Sequence, residues 1–337
     1  MRAAIAGLVF SGLTGLAPFA AGQVVVLPGS VATTIHSISD NGTRVAGTRS
    51  ATGAYLWSEA LGFRDLTYPD SESANVLLSG DGHAIATTYQ FSPAQTFIET
   101  DSGEVTVIPF SLPGQVNQSI ATGISRDGSV VCGWDTHTSS SIQIGWRWSA
   151  SGGMQILPFL ALTMSGDGTT VFGSNGFGQH LMWRDGVTTT LPANFPGRVQ
   201  AANYDGNIFG GDNWIWNHGQ VFTVQNLPGG FNSTFTDMSE DGGVVVGVNS
   251  MQSGPAVPFI WTPTGGTRPL GAYFASYGYD LSAYRITNVH VSADGRTFGL
   301  TALDATSARG IIVTVPSPAS AAALFGLIAR AGRRATR

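Results

Sequence analysis

The chain has no lysine, a single cysteine, and charged side chains at only 11% of its 337 positions. Each scarcity excludes something. Acids outnumber arginines, so there is no basic face for a nucleic acid. Cys132 has no partner for an internal disulfide, so the body must stabilise itself by packing. Lying beside Val130 and Val131, it reads as buried filler and not as a nucleophile. The six histidines (His36, His83, His137, His180, His218, His290) share no repeat position and include no pair at metal-ligand spacing. No Gly-x-Ser-x-Gly elbow occurs. The expected cofactor and the expected metal are therefore none.

What is present is glycine, 45 residues of it, with a hydrophobic fraction of 42%. That mixture is too apolar for disorder and too rich in glycine for a helical bundle. A β-rich globular body is left.

Both ends fall outside that body. Arg2, the uncharged apolar residues 3–16, and the small residues Ala20 and Gly22 before Gln23 have the form of a secretory signal peptide over residues 1–22. At the other end, Pro316-Ser317-Pro318 precedes a small apolar stretch, 319–329, and then Arg330, Arg333, Arg334 and Arg337. Such a stretch is short of the ~20 residues needed to span a bilayer. Its arginines would stay cytoplasmic and hold the segment transiently at the membrane during export. Residues 317–337 resemble a PEP-CTERM sorting tail, with Ser317 where the namesake motif has Glu. The resemblance implies recognition and removal by an exosortase-type membrane protease. Without its ends the body carries 11 arginines against 21 acids, a net charge of −10.

One pattern recurs seven times: an apolar residue, Ser, any residue, Asp-Gly, then an apolar pair. It runs Ile38-Ser39-Asp40-Asn41-Gly42, Leu78-Ser79-Gly80-Asp81-Gly82, Ile124-Ser125-Arg126-Asp127-Gly128 and Met164-Ser165-Gly166-Asp167-Gly168. A degenerate copy, Ala202-Asn203-Tyr204-Asp205-Gly206, precedes Met238-Ser239-Glu240-Asp241-Gly242 and Val291-Ser292-Ala293-Asp294-Gly295. The turns lie 40, 46, 40, 38, 36 and 53 residues apart. Five copies place Gly six residues after the Asp or Asn: Gly47, Gly133, Gly173, Gly211 and Gly247. Five carry a Trp two residues after an aromatic or aliphatic one, as at Tyr55/Trp57 and Phe259/Trp261. Asp-Gly between apolar runs signals a hairpin, and a spacing of two puts both large side chains on one strand face. Four short strands fill a period near 40, which is a propeller blade.

The seventh unit lacks a closing strand, whereas residues 23–28, Gln-Val-Val-Val-Leu-Pro, match one. The expected fold is all-β: a seven-bladed β-propeller with four-stranded blades over residues 23–316, its ring closed by the N-terminal strand. The units resemble the HAF-type extracellular repeat family, whose members frequently carry PEP-CTERM tails. That resemblance, covering about residues 31–316, implies an exported protein and no established activity.

Functional candidates are few. The turn aspartates invite calcium, but one carboxylate per turn falls short of 6–8 oxygens, and Asp suits the turn by bonding its own backbone. The recurring tryptophans read as core. The best lead is the long last gap. Residues 271–285 hold Tyr273, Phe274, Tyr277, Tyr279 and Tyr284, four of the eight tyrosines. Strand order puts this loop on the face opposite the Asp-Gly turns, together with Tyr89, the Trp134-Asp135-Thr136-His137 loop and Asp212. The expectation is a non-catalytic module for an extracellular polysaccharide or a surface protein, using Tyr273, Tyr277, Tyr279, Tyr284, Trp134, Asp135 and His137. The tyrosines could instead pack on themselves. The alternative function is a glycan lyase or hydrolase at the channel mouth, with Asp135, His137 and Asp212 as its acids and base.

Overall fold

A computed structural model describes residues 22–316, apart from 51, 67–72, 90–93, 113, 115, 139–141, 176, 193–194 and 196. The signal peptide and the sorting tail lie outside the described residues, save Gly22. The body is a seven-bladed propeller of seven separate four-stranded antiparallel sheets. The inner strands of blades 1 to 6 begin at Thr33, Ser73, Val116, Leu160, Ala201 and Gly230, and that of blade 7 is Arg285–Val291.

The recurrent motif builds the turn between inner and second strand. In blade 2 the Ser79 hydroxyl donates to Asp81 Oδ1 at 2.6 Å and accepts the Ala84 amide at 2.9 Å. The same pair of bonds recurs at Ser125, Ser165, Ser239 and Ser292. In degenerate blade 5, Asn203 Oδ1 takes the place of the serine oxygen and accepts the Ile208 amide at 3.0 Å. The aspartates are thus occupied as turn formers. These serines are buried, so Ser79→Ala or Ser165→Ala leaves a buried amide unpaired. Each is expected to cost about 2 kcal/mol, read as a lower denaturant midpoint with unchanged m-value.

The recurring glycine faces a bulge. Outside blade 5, inner strands slip register by one residue, in blade 4 between Ala161 and Thr163. A Cβ on Gly173, opposite, would lie 1.8 Å from the Leu160 carbonyl oxygen. Only glycine lets the second strand approach there. Further out, Trp57, Trp146, Trp148, Trp183, Trp214 and Trp261 are buried between blades, as core. The residues that end or follow the closing strands, Leu66, Ile108, Leu157, Leu191, Leu227 and Leu270, are buried too.

Leu27 is the seventh of that set. Strand Gln23–Val26 pairs antiparallel with Ala308–Thr314, Gln23 opposite Thr314 and Val26 opposite Ile311. The Leu27 amide then bonds Gly310 O at 2.9 Å, and its side chain is buried in the seam with Ile35 and Tyr55. Across the same seam, Thr301 Oγ1 accepts the Ile35 amide at 2.8 Å and donates to Ile35 O at 3.1 Å. The ring is closed by the N-terminal strand.

The long last gap hides no extra strands. It forms a six-residue helix, Leu270–Ala275, and a loop that returns to blade 7. Leu270, Tyr273 and Phe274 on that helix enter the blade 7 core, which explains a helix among described residues that are otherwise all-β. Among the described residues no helix is long and apolar enough to cross a membrane.

Candidate functional site

Two places merit chemical scrutiny: the face carrying the long loops, and the axial channel. On the loop face, the tyrosines divide. Tyr273 is buried, edge-on to Phe298 at 5.8 Å and to Tyr277 at 5.2 Å, with the Arg268 guanidinium 5.1 Å from its ring centroid. Burial pushes its phenol well above the usual range, aided by Tyr277. The Tyr279 hydroxyl donates to Thr314 O at 3.1 Å, and Tyr284 packs against the blade 7 core. Tyr277 remains 40% exposed. Beside this loop lies a groove of about 490 Å³, lined by Pro255, Pro258, Pro269, Tyr279, Leu281 and Tyr284 among others.

The other expected residues lie on strands or bond within the fold. Trp134 to His137 are not a loop but the end of strand Val130–His137. Asp135 is fully buried there, accepting Trp146 Nε1 at 2.6 Å and the Ser111 amide at 2.7 Å. The alternation of a strand aims it inward, where a loop would have left it wet. Trp134 is half-buried, and the His137 amide donates to Ile142 O. Tyr89 is buried edge-on to Phe97, and Asp212 Oδ2 caps the Arg198 amide at 3.0 Å. Cys132 is buried, its thiol pushed up to about 12 by that burial.

The loop face displays side chains that the repeat pattern did not flag. Phe177 is 91% exposed, Phe231 63% and Ile142 60%. Phe177 is held out by Asn175, whose Oδ1 accepts the amides of Phe177 and Gln179. The available signal was an aromatic between glycines in the second-to-third strand connection, outside every repeat column.

The channel mouth was the expected place of the alternative function, but its lining holds none of Asp135, His137 and Asp212. His36 and His290, which share no repeat position, stand on the inner strands of blades 1 and 7, neighbours only because the ring closes. Burial first, and then the proximity of His290, lower the His36 pKa to about 4. Its Nε2 lies 3.0 Å from Thr34 Oγ1. His290 Nδ1 is 3.7 Å from Asp237 Oδ2. Below them the seven turns meet around the axis. The Asp40 amide bonds Gly80 O, Arg126 bonds Gly166 O, Asp167 bonds Tyr204 O, Glu240 bonds Ala293 O, and Ala293 bonds Asp40 O. Arg126 spans this mouth, its Nε 2.7 Å from Asp40 Oδ2 and its guanidinium 5.4 Å from the Tyr204 ring centroid. It passes over Gly80, where a Cβ would lie 2.6 Å from Asp40 Oδ2. Burial raises the pKa of both Asp40 and Glu240, with Arg126 opposing it at each. Among the described residues no three His, Cys, Asp or Glu side chains form a metal-holding group.

No family model matches the chain, and no curated protein does. Solved structures share its fold. A chain from a crystal structure of a mitotic checkpoint complex is 14% identical, with 94% of this chain and all of that one covered, at a TM-score of 0.54. The oligogalacturonate lyase of Vibrio parahaemolyticus is 11% identical over 88% of this chain and 98% of its own, at a TM-score of 0.60. At such identity the likeness establishes the propeller alone.

Proposed function

We propose that this is an exported, non-catalytic recognition propeller of the cell surface or extracellular matrix, binding a glycan or a protein through its loop face. One contrast carries the reading. That face exposes Phe177, Phe231, Ile142 and Tyr277, while its acids Asp135 and Asp212 are engaged in structural hydrogen bonds. Exposed aromatics on rigid scaffolds serve as anchors for sugars and protein partners. Export rests on residues 1–22, on the HAF-type repeats, and on the PEP-CTERM-like tail with its transient membrane contact and exosortase-type processing.

The test is a glycan-array and pull-down screen of the protein beside a Phe177→Ala/Tyr277→Ala variant. Tyr277 is chosen over Tyr279, whose hydroxyl bonds Thr314 O. Retained ligands are expected to lose about tenfold or more in affinity at an unchanged melting temperature. Equal binding by the variant would remove the loop face as the site.

A second reading, a glycan lyase or hydrolase at the channel, is favoured by the convergence of His36, His290 and Asp237 with Asp40 and Glu240. Against it, Asp40 is ion-paired with Arg126 and Glu240 accepts the Tyr204 amide. Release of reducing ends from acidic polysaccharides, lost in His290→Ala, would revive it.

A further inference from the structure

The channel holds a cavity of about 240 Å³, lined by the inner strands and turns of all seven blades. This is below the roughly 300–1,000 Å³ of drug-sized pockets, so an occupant must be small. Its chemistry follows from which hydrogen-bond roles the walls leave open.

Thr122 Oγ1 has carbonyl partners at Ala161 O, 3.0 Å away, and Cys132 O. Thr236 Oγ1 likewise donates to carbonyls, Val289 O or Val246 O. A hydroxyl has one proton, and here it goes into the wall. Only acceptor lone pairs are left for the cavity. Asp237 adds to them. Its Oδ1 accepts the Met238 amide at 2.8 Å and its Oδ2 the Val291 amide at 3.1 Å, which fixes the carboxylate and uses two of about four acceptor positions.

Charge points the same way. The lining contains Asp40, Asp237 and Glu240 but one arginine, Arg126, and that one neutralises Asp40. His290 stands 3.7 Å from Asp237, beyond hydrogen-bond length. Alongside donor groups on His36, His290 and Gln200, the walls offer these acceptors and excess negative charge in a confined space. The group complementary to Asp237, Thr122 and Thr236 has several donors and a positive charge, which describes an ammonium.

We infer that the channel is a second binding site, distinct from the loop face, for a small primary ammonium compound held by Asp237, Thr122 and Thr236.

Glucosamine hydrochloride is the probe, titrated by calorimetry into the full-length protein, with glucose as the same ring without the charge. Saturable binding is expected for glucosamine and not for glucose, weakened about tenfold by Asp237→Asn. Thr236→Val keeps the side-chain shape and removes one acceptor oxygen. It is expected to weaken binding several-fold, and decides the matter should Asp237→Asn fail to fold. The inference is overturned if glucosamine shows no saturable binding, if glucose binds equally, or if the folded variants bind as the parent does. Loss of loop-face binding in Phe177→Ala/Tyr277→Ala leaves this result unaffected, so the two sites stand or fall separately.

Discussion

Deleting residues 23–28 is expected to lower the melting temperature by about 10 °C, more than any single substitution in a blade. The segment supplies the whole outer strand of blade 7, paired residue by residue from Gln23 with Thr314 to Val26 with Ile311. It also supplies Leu27, buried against Ile35, Tyr55 and Ile312. Truncating a buried leucine alone costs about 2–5 kcal/mol, and the lost strand leaves the edge Ala308–Thr314 unpaired. A loss of roughly 5 kcal/mol in a body of this size corresponds to a shift of that order. Differential scanning calorimetry of the deletion, beside a Leu27→Ala variant, would read it. An unchanged melting temperature would mean that the strand decorates a ring already closed without it.

Acid is expected to weaken the same seam. In the folded protein the His36 pKa is lowered from 6.5 to about 4, by burial and by His290 across the junction of blades 1 and 7. Above about pH 6.5 the imidazole is neutral in both folded and unfolded chains, and it adds no pH dependence. As the pH falls from about 6.5 to about 4, the unfolded chain takes up a proton there that the folded chain refuses. Stability is lost across that window, by up to about 3 kcal/mol at its lower end. His36→Gln removes the titrating group. The gap between parent and variant, measured by urea denaturation near pH 7 and again near pH 4.5, should therefore shift in the variant's favour on acidification. A constant gap would show that His36 titrates normally and that the ring does not strain against its charge. The groups that face it include Thr34, at 3.0 Å from Nε2, and His290, which itself faces Asp237 and Asn288.

Much of the scaffold was legible because the repeat turns local chemistry into periodicity. Ser and Asp recur since each turn needs a hydroxyl that both donates and accepts, and Asn203 shows that the role matters more than the residue. Glycine recurs since a bulged carbonyl points at its missing Cβ. Even the ring closure could be read, because the segment ending in Leu27-Pro28 repeats the closing-strand pattern of Ile108-Pro109 and Leu157-Pro158. The candidate site was less legible. Asp135 and Tyr89 look like ligand-facing groups in one dimension, yet alternation along its strand turns Asp135 into the core, and Tyr89 ends a strand buried on both faces. Phe177 and Phe231 belong to no repeat column, so nothing periodic marked them.

By itself, then, the sequence determined the class, the blade count, the position of every turn and the identity of the strand that closes the ring. These depend on contacts within a blade, or on a pattern that copies itself around the ring. Only the tertiary structure decided which non-repeating side chains meet. His36 and His290 are separated by nearly the whole body in sequence. They become neighbours because closure brings the first inner strand beside the last. Arg126 reaches Asp40 and Tyr204 because Gly80 leaves the channel mouth open for it to cross. Such encounters are set by the curvature of the ring, a property of seven blades packed together and of no single repeat.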